Sequence, residues 1–182
     1  RETRAGRTPH SRGALPVGQW RYLRADETRR EALKAKYQAG DKQRLIVGVS
    51  WRSANAENAA DKSVGILQWG PVLHLPGVTF VNLQYGDCAA ELEAVRKGFG
   101  VSVLQDATVD SLRDLDEYAA QVAAMDFVVS SSNTAAHFAG GLGIPTICML
   151  PISLGRGRRW YWFSEQPECP WYPSLTTLSQ RA

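Results

Sequence analysis

Several features that would assign this chain at once are missing from its sequence. No apolar run is both long and free of charge, so no transmembrane helix is expected. The basic and apolar regions of a signal peptide are absent too. The first predicted strand is not followed by GxGxxG, and there is no Walker A sequence. These absences argue against a dehydrogenase and a P-loop NTPase, but they leave nucleotide binding open.

Cysteine is scarce, with three in 182 residues. Cys88, Cys148 and Cys169 are widely spaced and form no CxxC pair, so we expect no zinc or other metal site. The pattern is typical of a reducing compartment, and we therefore predict a cytoplasmic protein. The chain begins with Arg1 rather than Met, so we expect a fragment or a processed chain.

The net charge is only +3, although arginines crowd the first 24 residues and recur at Arg156, Arg158 and Arg159. Such clusters are compatible with a nucleic-acid footprint. They are also typical of a solvated basic tail, which we favour. We therefore predict no nucleic-acid partner.

Short apolar runs alternate with stretches of helical spacing along most of the chain. The runs predict strands at 45–49, 78–83, 101–104, 127–129 and 144–150. The helical spacing predicts helices at 27–37, 66–75 and 89–97, with two more after Asp114 and after the turn 132–134. This alternation predicts an α/β fold with a parallel sheet and helices on both faces.

Composition and helix signals predict the organisation of the chain. We expect a flexible leader at 1–19, a linker and a packing helix at 20–44, and one α/β domain at 45–182. Asp114 with Glu117 three residues later predicts a capping box. Pro71 is compatible with its helix only if it lies in the first turn.

The turn Ser132-Asn133-Thr134 stands between an apolar strand and a helix. In a parallel α/β sheet, ligands bind at that edge, and the start of a helix favours an anion such as phosphate. The same residues are also favoured as plain helix caps. His137 lies one turn into the helix, where a lone histidine is more often structural.

Two cations lie near the same predicted edge. Arg52 directly follows the first strand, and Lys62 lies in the loop before the next helix. An arginine fork with a lysine point charge suits a diphosphate. Two solvated loop cations would give the same pattern, and spacing alone does not separate the two interpretations.

The order of these motifs resembles a known family. The chain carries SWR after its first strand, then LPGV, FVNLQYG, FVVSSSNTAAHFAGGLGIPTICMLP and a late PWYP. This resembles the C-terminal domain of GT-B glycosyltransferases related to bacterial heptosyltransferases. It is similar above all to the glycosyltransferase-like domain that follows tetratricopeptide repeats in many bacterial proteins. The resemblance covers about 20–180 and implies one Rossmann-like half of a GT-B fold.

The resemblance also implies where a nucleotide diphosphate sugar would bind. Ser50 and Lys62 would approach the donor phosphates, with Arg52 as an extra contact. The backbone amides of the turn 132–134 would hold the diphosphate, with His137 close behind. The partner in such an enzyme is an N-terminal acceptor domain, or here a tetratricopeptide domain.

Ribose and base would lie farther along the sheet edge. The resemblance places the turn from Gln84 to Gly86 on one side of them, and Arg113 and Asp114 on the other. Donor chemistry of this type needs no metal cofactor, and a DxD-type metal pair is absent, since capping explains Asp114 and Asp116.

The chain departs from the family at one motif. Heptosyltransferases usually carry Asp-Thr-Gly where this chain has Ser132-Asn133-Thr134. The sequence offers no residue that we assign as general base. Two functions therefore remain open: the donor-binding half of a glycosyltransferase, and a non-catalytic, degenerate domain that serves as an interaction or scaffold module.

Overall fold

The computed structural model describes residues 21–53, 63–150, 162 and 168–179. The strands are β1 Leu45–Ser50, β2 Val78–Asn82, β3 Phe127–Ser131, β4 Thr146–Leu150, β5 Glu168–Cys169 and β6 Tyr172–Ser179. The helices are α1 Glu27–Gln38, α2 Gly70–Leu73, α3 Ala89–Phe99, α4 Leu115–Ala123 and α5 Thr134–Leu142. A 3₁₀ turn at Ile66–Trp69 leads directly into α2.

The strands form one sheet in the order β2-β1-β3-β4-β6-β5. All neighbours pair in parallel except β5, which runs antiparallel to β6. Leu104 adds an isolated parallel bridge to Val81, beyond β2. If Leu104 is counted as a vestigial third strand, the parallel order is 3-2-1-4-5-6, which is the Rossmann order. The predicted Rossmann-like α/β fold is confirmed.

The predicted strand at 101–104 is wrong in extent, because Leu104 alone pairs with the sheet. Its amide donates to Phe80 O and its carbonyl accepts from Asn82 N, both at 2.8 Å. The chain then turns away because Asp106, two residues later, bonds to α1. A single bridge therefore takes the place of a strand.

Helices cover both faces of the sheet. Successive side chains along each strand point to opposite faces, so the core has two parts. Ile46 and Val128 pack with Leu33 and Tyr37 of α1 on one face. Val47, Val49 and Phe80 pack on the opposite face, against the apolar side of α2 and α3. The helix α1 therefore belongs to the core, although it precedes the first strand.

Helix starts follow the local signals in part. Asp114 caps α4 and accepts from the amides of Asp116 at 3.1 Å and Glu117 at 2.9 Å. The other half of the predicted capping box is wrong, because the Glu117 carboxylate pairs with Arg29 at 2.7 Å. Pro71 lies in the first turn of α2, as its helix requires.

Within the described ranges, no helix has the length and apolarity needed to cross a membrane.

Candidate functional site

The carboxyl ends of β1 and β3 meet at the point where the strand order reverses. β1 has β2 on one side and β3 on the other, and the connections from these strands leave in opposite directions. Ser50 ends β1, and Ser131 ends β3 two residues before the cap of α5. This switch point is where open α/β sheets bind ligands.

A buried carboxamide, Gln84, links the exits of β1 and β2. Its Oε1 accepts from the Ser50 hydroxyl at 3.1 Å, and from the amides of Trp51 at 3.1 Å and Arg52 at 2.9 Å. The backbone amide of Gln84 donates to Asn82 Oδ1 at 2.8 Å. The side-chain oxygen of Gln84 is thus used within the protein, so Gln84 shapes the edge rather than offering that oxygen to a ligand.

Asn133 links β3 to β1 and also caps α5. Its Nδ2 donates to the Ser50 hydroxyl at 2.7 Å and to Arg52 O at 3.1 Å. Its Oδ1 accepts from the Ala135 amide at 2.9 Å and from the Ser130 hydroxyl at 3.0 Å. Capping and ligand binding were both open for this residue; capping is what the structure shows.

The rest of the turn divides between interior and surface. The Ser132 hydroxyl accepts from the Trp162 indole nitrogen at 2.7 Å and is buried. Thr134 is the first residue of α5 and is exposed. First-turn amides have no acceptor within the helix, and the positive end of the helix dipole lies there. An anion would therefore meet Thr134 first.

His137 faces an aromatic cluster. Its ring stacks on Trp162, with centroids 4.8 Å apart, and its Nδ1 lies 3.1 Å from the Tyr172 hydroxyl. A Cβ at Gly140 would lie 2.4 Å from Tyr172 Cγ, so glycine allows this approach. The two most distinctive motifs of the sequence, SNTAAHFAGG and PWYP, therefore contact each other.

Arg52 extends toward α3 and is held there. Its Nε pairs with Glu91 Oε2 at 2.9 Å, and its Nη2 donates to Asp87 O at 2.7 Å. Glu91 Oε1 also accepts from the Trp51 indole at 2.7 Å. Burial disfavours the charged guanidinium, but the hydrogen bond and charge of Glu91, together with Cys88, outweigh burial and raise the pKa of Arg52. Arg52 is therefore an ion-paired cation rather than a solvated one.

A cavity of about 370 Å³ opens beside the end of β2. One wall is the β2 exit, with Gln84 and Gly86. The second wall is the loop 105–112, and the third is the face of α4 that carries Tyr118 and Gln121. Its volume lies within the usual range of small-molecule sites.

The polarity of this cavity is one-sided. Asp110 contributes an exposed carboxylate, and Gln105 and Ser111 add neutral polar groups. Asp106 also lines the cavity, but its carboxylate is buried and paired with Lys36. None of the described lining residues is a lysine, arginine or histidine. The cavity therefore suits a neutral group rich in hydrogen-bond donors, whereas it would repel a phosphate.

Two further predicted site residues, Arg113 and Asp114, lie outside the cavity lining. Arg113 has a side chain that is 88% exposed and pairs with Asp110 at 3.6 Å. Asp114 caps α4, and both are absent from the lining although their neighbours Ser111 and Leu112 belong to it. Lys62 lies outside the described residues.

Sequence reasoning missed the loop that forms the second wall. Gln105 and Asp106 follow the run 101–104 that predicted a strand. The rule that ligands bind at carboxyl ends of parallel strands would have selected both residues. No sequence signal of this kind marks Gln121, which reaches the cavity from the last turn of α4.

Comparisons with known proteins agree with this architecture. No protein-family model matches the chain. Protein FlbA of Caulobacter vibrioides is 41% identical over 133 residues, which are 71% of this chain and 21% of FlbA. The chain thus spans about a fifth of the length of that relative.

Two solved structures share the fold. The glycosyl transferase family 9 protein from Veillonella parvula gives a TM-score of 0.62 at 13% identity, covering 88% of this chain and 43% of that one. ADP-heptose lps heptosyltransferase II of E. coli gives 0.50 at 16% identity, covering 88% and 45%. The fold is therefore glycosyltransferase-like, and this chain spans less than half of each.

Proposed function

We propose that this chain is the donor-binding domain of a glycosyltransferase that uses a nucleotide diphosphate sugar. The observation that carries the proposal is the pairing, at one edge of the sheet, of an acidic cavity with an exposed helix start at Thr134. A nucleotide has the matching asymmetry. Its nucleoside is neutral and rich in donors, and its diphosphate is an anion.

The two sites are linked by a short chain of hydrogen bonds. Gln84 lines the cavity and accepts from Ser50 at 3.1 Å, and Ser50 accepts from Asn133, the cap of α5, at 2.7 Å. We propose that the nucleoside occupies the cavity. The diphosphate then lies toward Thr134, where the start of α5 and its helix dipole stabilise it.

In this arrangement the chain would act on the leaving group. As the bond from sugar to phosphate breaks, negative charge grows on the diphosphate, and preorganised donors at the start of α5 stabilise it. Such stabilisation requires no metal, so we propose a metal-independent transfer without a cofactor. Lys62 and Arg52 are the cations that we assign to the phosphates; for Arg52 this requires its release from Glu91.

We assign no general base in this chain. We propose that the acceptor-binding part lies in the remainder of a longer protein, either as an N-terminal acceptor domain or beside tetratricopeptide repeats. The extent of the relatives supports this, since the chain spans about a fifth of FlbA and less than half of each solved glycosyltransferase.

Calorimetric titration with UDP, GDP and ADP tests the proposal. We expect one of them to bind in the micromolar to millimolar range. Thr134→Asp places a carboxylate at the helix start and should abolish binding. Thr134→Asn introduces a neutral side chain of the same size as aspartate and should retain most of the binding. Lys62→Ala should weaken binding. If no nucleotide binds, the donor-site proposal fails and a non-catalytic scaffold module becomes the better interpretation.

A further inference from the structure

The helix α1 holds one wall of the cavity from behind. Lys36 Nζ pairs with both oxygens of Asp106, at 2.8 and 2.9 Å, and the Tyr37 hydroxyl donates to Asp106 Oδ2 at 2.8 Å. Asp106 is a lining residue and Lys36 is not. The lysine therefore reaches the cavity only through the carboxylate that it binds.

Further contacts join α1 to the same region. Arg29 Nη2 donates to the Thr108 hydroxyl at 3.4 Å, and Arg29 Nε pairs with Glu117 of α4 at 2.7 Å. The Tyr37 hydroxyl also accepts from Gln121 Nε2 at 3.2 Å, and Gln121 lines the cavity. Two of the three cavity walls are thus tied to α1.

The burial of Asp106 makes the lysine contact hard to replace. The Asp106 side chain is 0% exposed, whereas that of Lys36 is 48% exposed. Thr108 supplies two more donors to Oδ1, its amide at 3.0 Å and its hydroxyl at 2.7 Å. Removing one partner of a buried charge pair leaves the other uncompensated, so the loop would have to move to rehydrate the carboxylate.

The loop 105–112 has attachments on other sides as well. It contains neither helix nor strand. On its other side it is attached through Leu104, which bridges to β2, and through Gln105, which accepts from Asn82 Nδ2. Val109 also packs against the core, and the loop leads directly into α4, so the loop lies between β2, α4 and α1. A shift of α1 would move this wall through Asp106.

We propose that Lys36 is a positioning residue of the candidate nucleotide site, and that α1 controls ligand affinity through the Lys36–Asp106 pair. The inference rests on the proposed function, because it takes a nucleotide as the ligand. By linkage, a contact that shifts α1 changes nucleotide affinity, and a bound nucleotide stabilises α1 in return.

The same helix offers a matched control. Lys34 also pairs with an aspartate, Asp126, and both side chains are partly buried. Asp126 accepts from the Ile46 amide at 2.9 Å, at the start of β1, and so lies at the opposite edge of the sheet. Lys34→Met and Lys36→Met each remove one lysine ion pair from α1, but only Lys36→Met releases the cavity wall.

The experiment uses the full chain and two readouts. The first readout is titration with whichever of ADP, GDP and UDP binds best. The Kd of Lys36→Met should be about tenfold higher than that of the wild type, and the Kd of Lys34→Met should lie within about twofold of the wild-type value. Hydrogen exchange should rise at 105–112 in Lys36→Met alone. Lys36→Arg should restore both values, because the guanidinium keeps the ion pair.

If Lys36→Met does not fold, the double variant Lys36→Met/Asp106→Asn replaces it, because the second change removes the uncompensated charge. This double variant should show the same tenfold loss of nucleotide affinity. Equal effects of the two lysine variants, or an unchanged Kd in Lys36→Met, overturn the inference. If wild type binds no nucleotide, the proposed function fails together with the link to affinity. Exchange at 105–112 then supports or overturns the control of the wall by α1.

Discussion

The side-chain amide of Asn133 donates a 2.7 Å hydrogen bond to the hydroxyl of Ser50, across 83 residues of sequence. This bond joins the ends of β3 and β1 at the switch point. Both residues are buried, at 8% and 0% exposure. It follows that these two residues support the switch point from beneath, and our proposal assigns ligand contact to their neighbours.

Replacement of Asn133 by alanine should destabilise the fold. The variant loses the cap of α5 and the amide donors to the Ser50 hydroxyl and to the Arg52 carbonyl, so we expect a loss of about 2–4 kcal/mol. Urea denaturation measures it. Asn133→Asp keeps the acceptors for Ala135 and Ser130 but loses the amide donors, so it separates capping from the link to β1. A loss below about 0.5 kcal/mol for the alanine variant would contradict the role of the network.

Gly140→Ala should destabilise the domain by about 1–3 kcal/mol, because the added Cβ would lie 2.4 Å from Tyr172 Cγ and force the ring to move. Gly98→Ala is the matched control. Gly98 is an exposed helical glycine of α3, and its Cβ would meet no atom within 4 Å. That variant should gain about 0.5–1 kcal/mol. Guanidinium denaturation of both checks the contrast, and equal effects would exclude close packing of Tyr172 as the cause.

The carboxylate of Asp106 should make stability depend on pH. Burial raises its pKa, but hydrogen bonds from Lys36, Thr108 and Tyr37 outweigh burial and hold the pKa well below its usual range. The pKa of Asp106 is lower in the folded chain than in the unfolded chain, where it is about 3.9. The ionised carboxylate therefore stabilises the fold fully above the unfolded pKa. This stabilisation is lost as the pH falls through the folded pKa.

Asp106→Asn should therefore lower the free energy of unfolding at neutral pH and flatten its decline below about pH 4. Denaturation at a series of pH values measures the slope. A wild-type slope retained in Asp106→Asn would assign the acid loss to other groups.

Glu91 should compete with a bound diphosphate for Arg52. Glu91→Gln keeps an acceptor for the Trp51 indole but releases the guanidinium, so we expect nucleotide affinity to rise by about two- to fivefold. The gain should shrink at high salt because the new attraction is screened. Glu93→Gln, which breaks an exposed pair with Arg96 on the same helix, should have no effect. An unchanged affinity in Glu91→Gln would show that Arg52 does not reach the phosphates.

Much of the fold was predictable because its signals are local. Apolar runs marked the strands from β1 to β4, and Asp114 marked the start of α4. The strand predicted at 101–104 was wrong in extent because β-propensity does not determine how many residues of a segment pair with the neighbouring strand. The predicted role of Glu117 in the capping box was wrong because its carboxylate pairs with Arg29, which is far away in sequence.

The candidate site was predictable in position but less so in the role of each residue. Ser50, Gln84 and Asn133 do converge at one sheet edge, yet their polar atoms bond mainly to one another. Burial decides this, because a buried polar group must find a partner within the protein. The sequence did not reveal which partners would be within reach.

By itself, the sequence determined the alternation of strands and helices, the parallel sheet and the edge at which ligands can bind, because these follow from periodicity and capping over a few residues. Only the tertiary structure decided that Arg52 pairs with Glu91, that the loop 105–112 forms a cavity wall, and that α1 holds this wall through Asp106. These contacts join residues 39 to 70 positions apart. They depend on how the elements pack and on the need to compensate buried charge, and no local pattern encodes either.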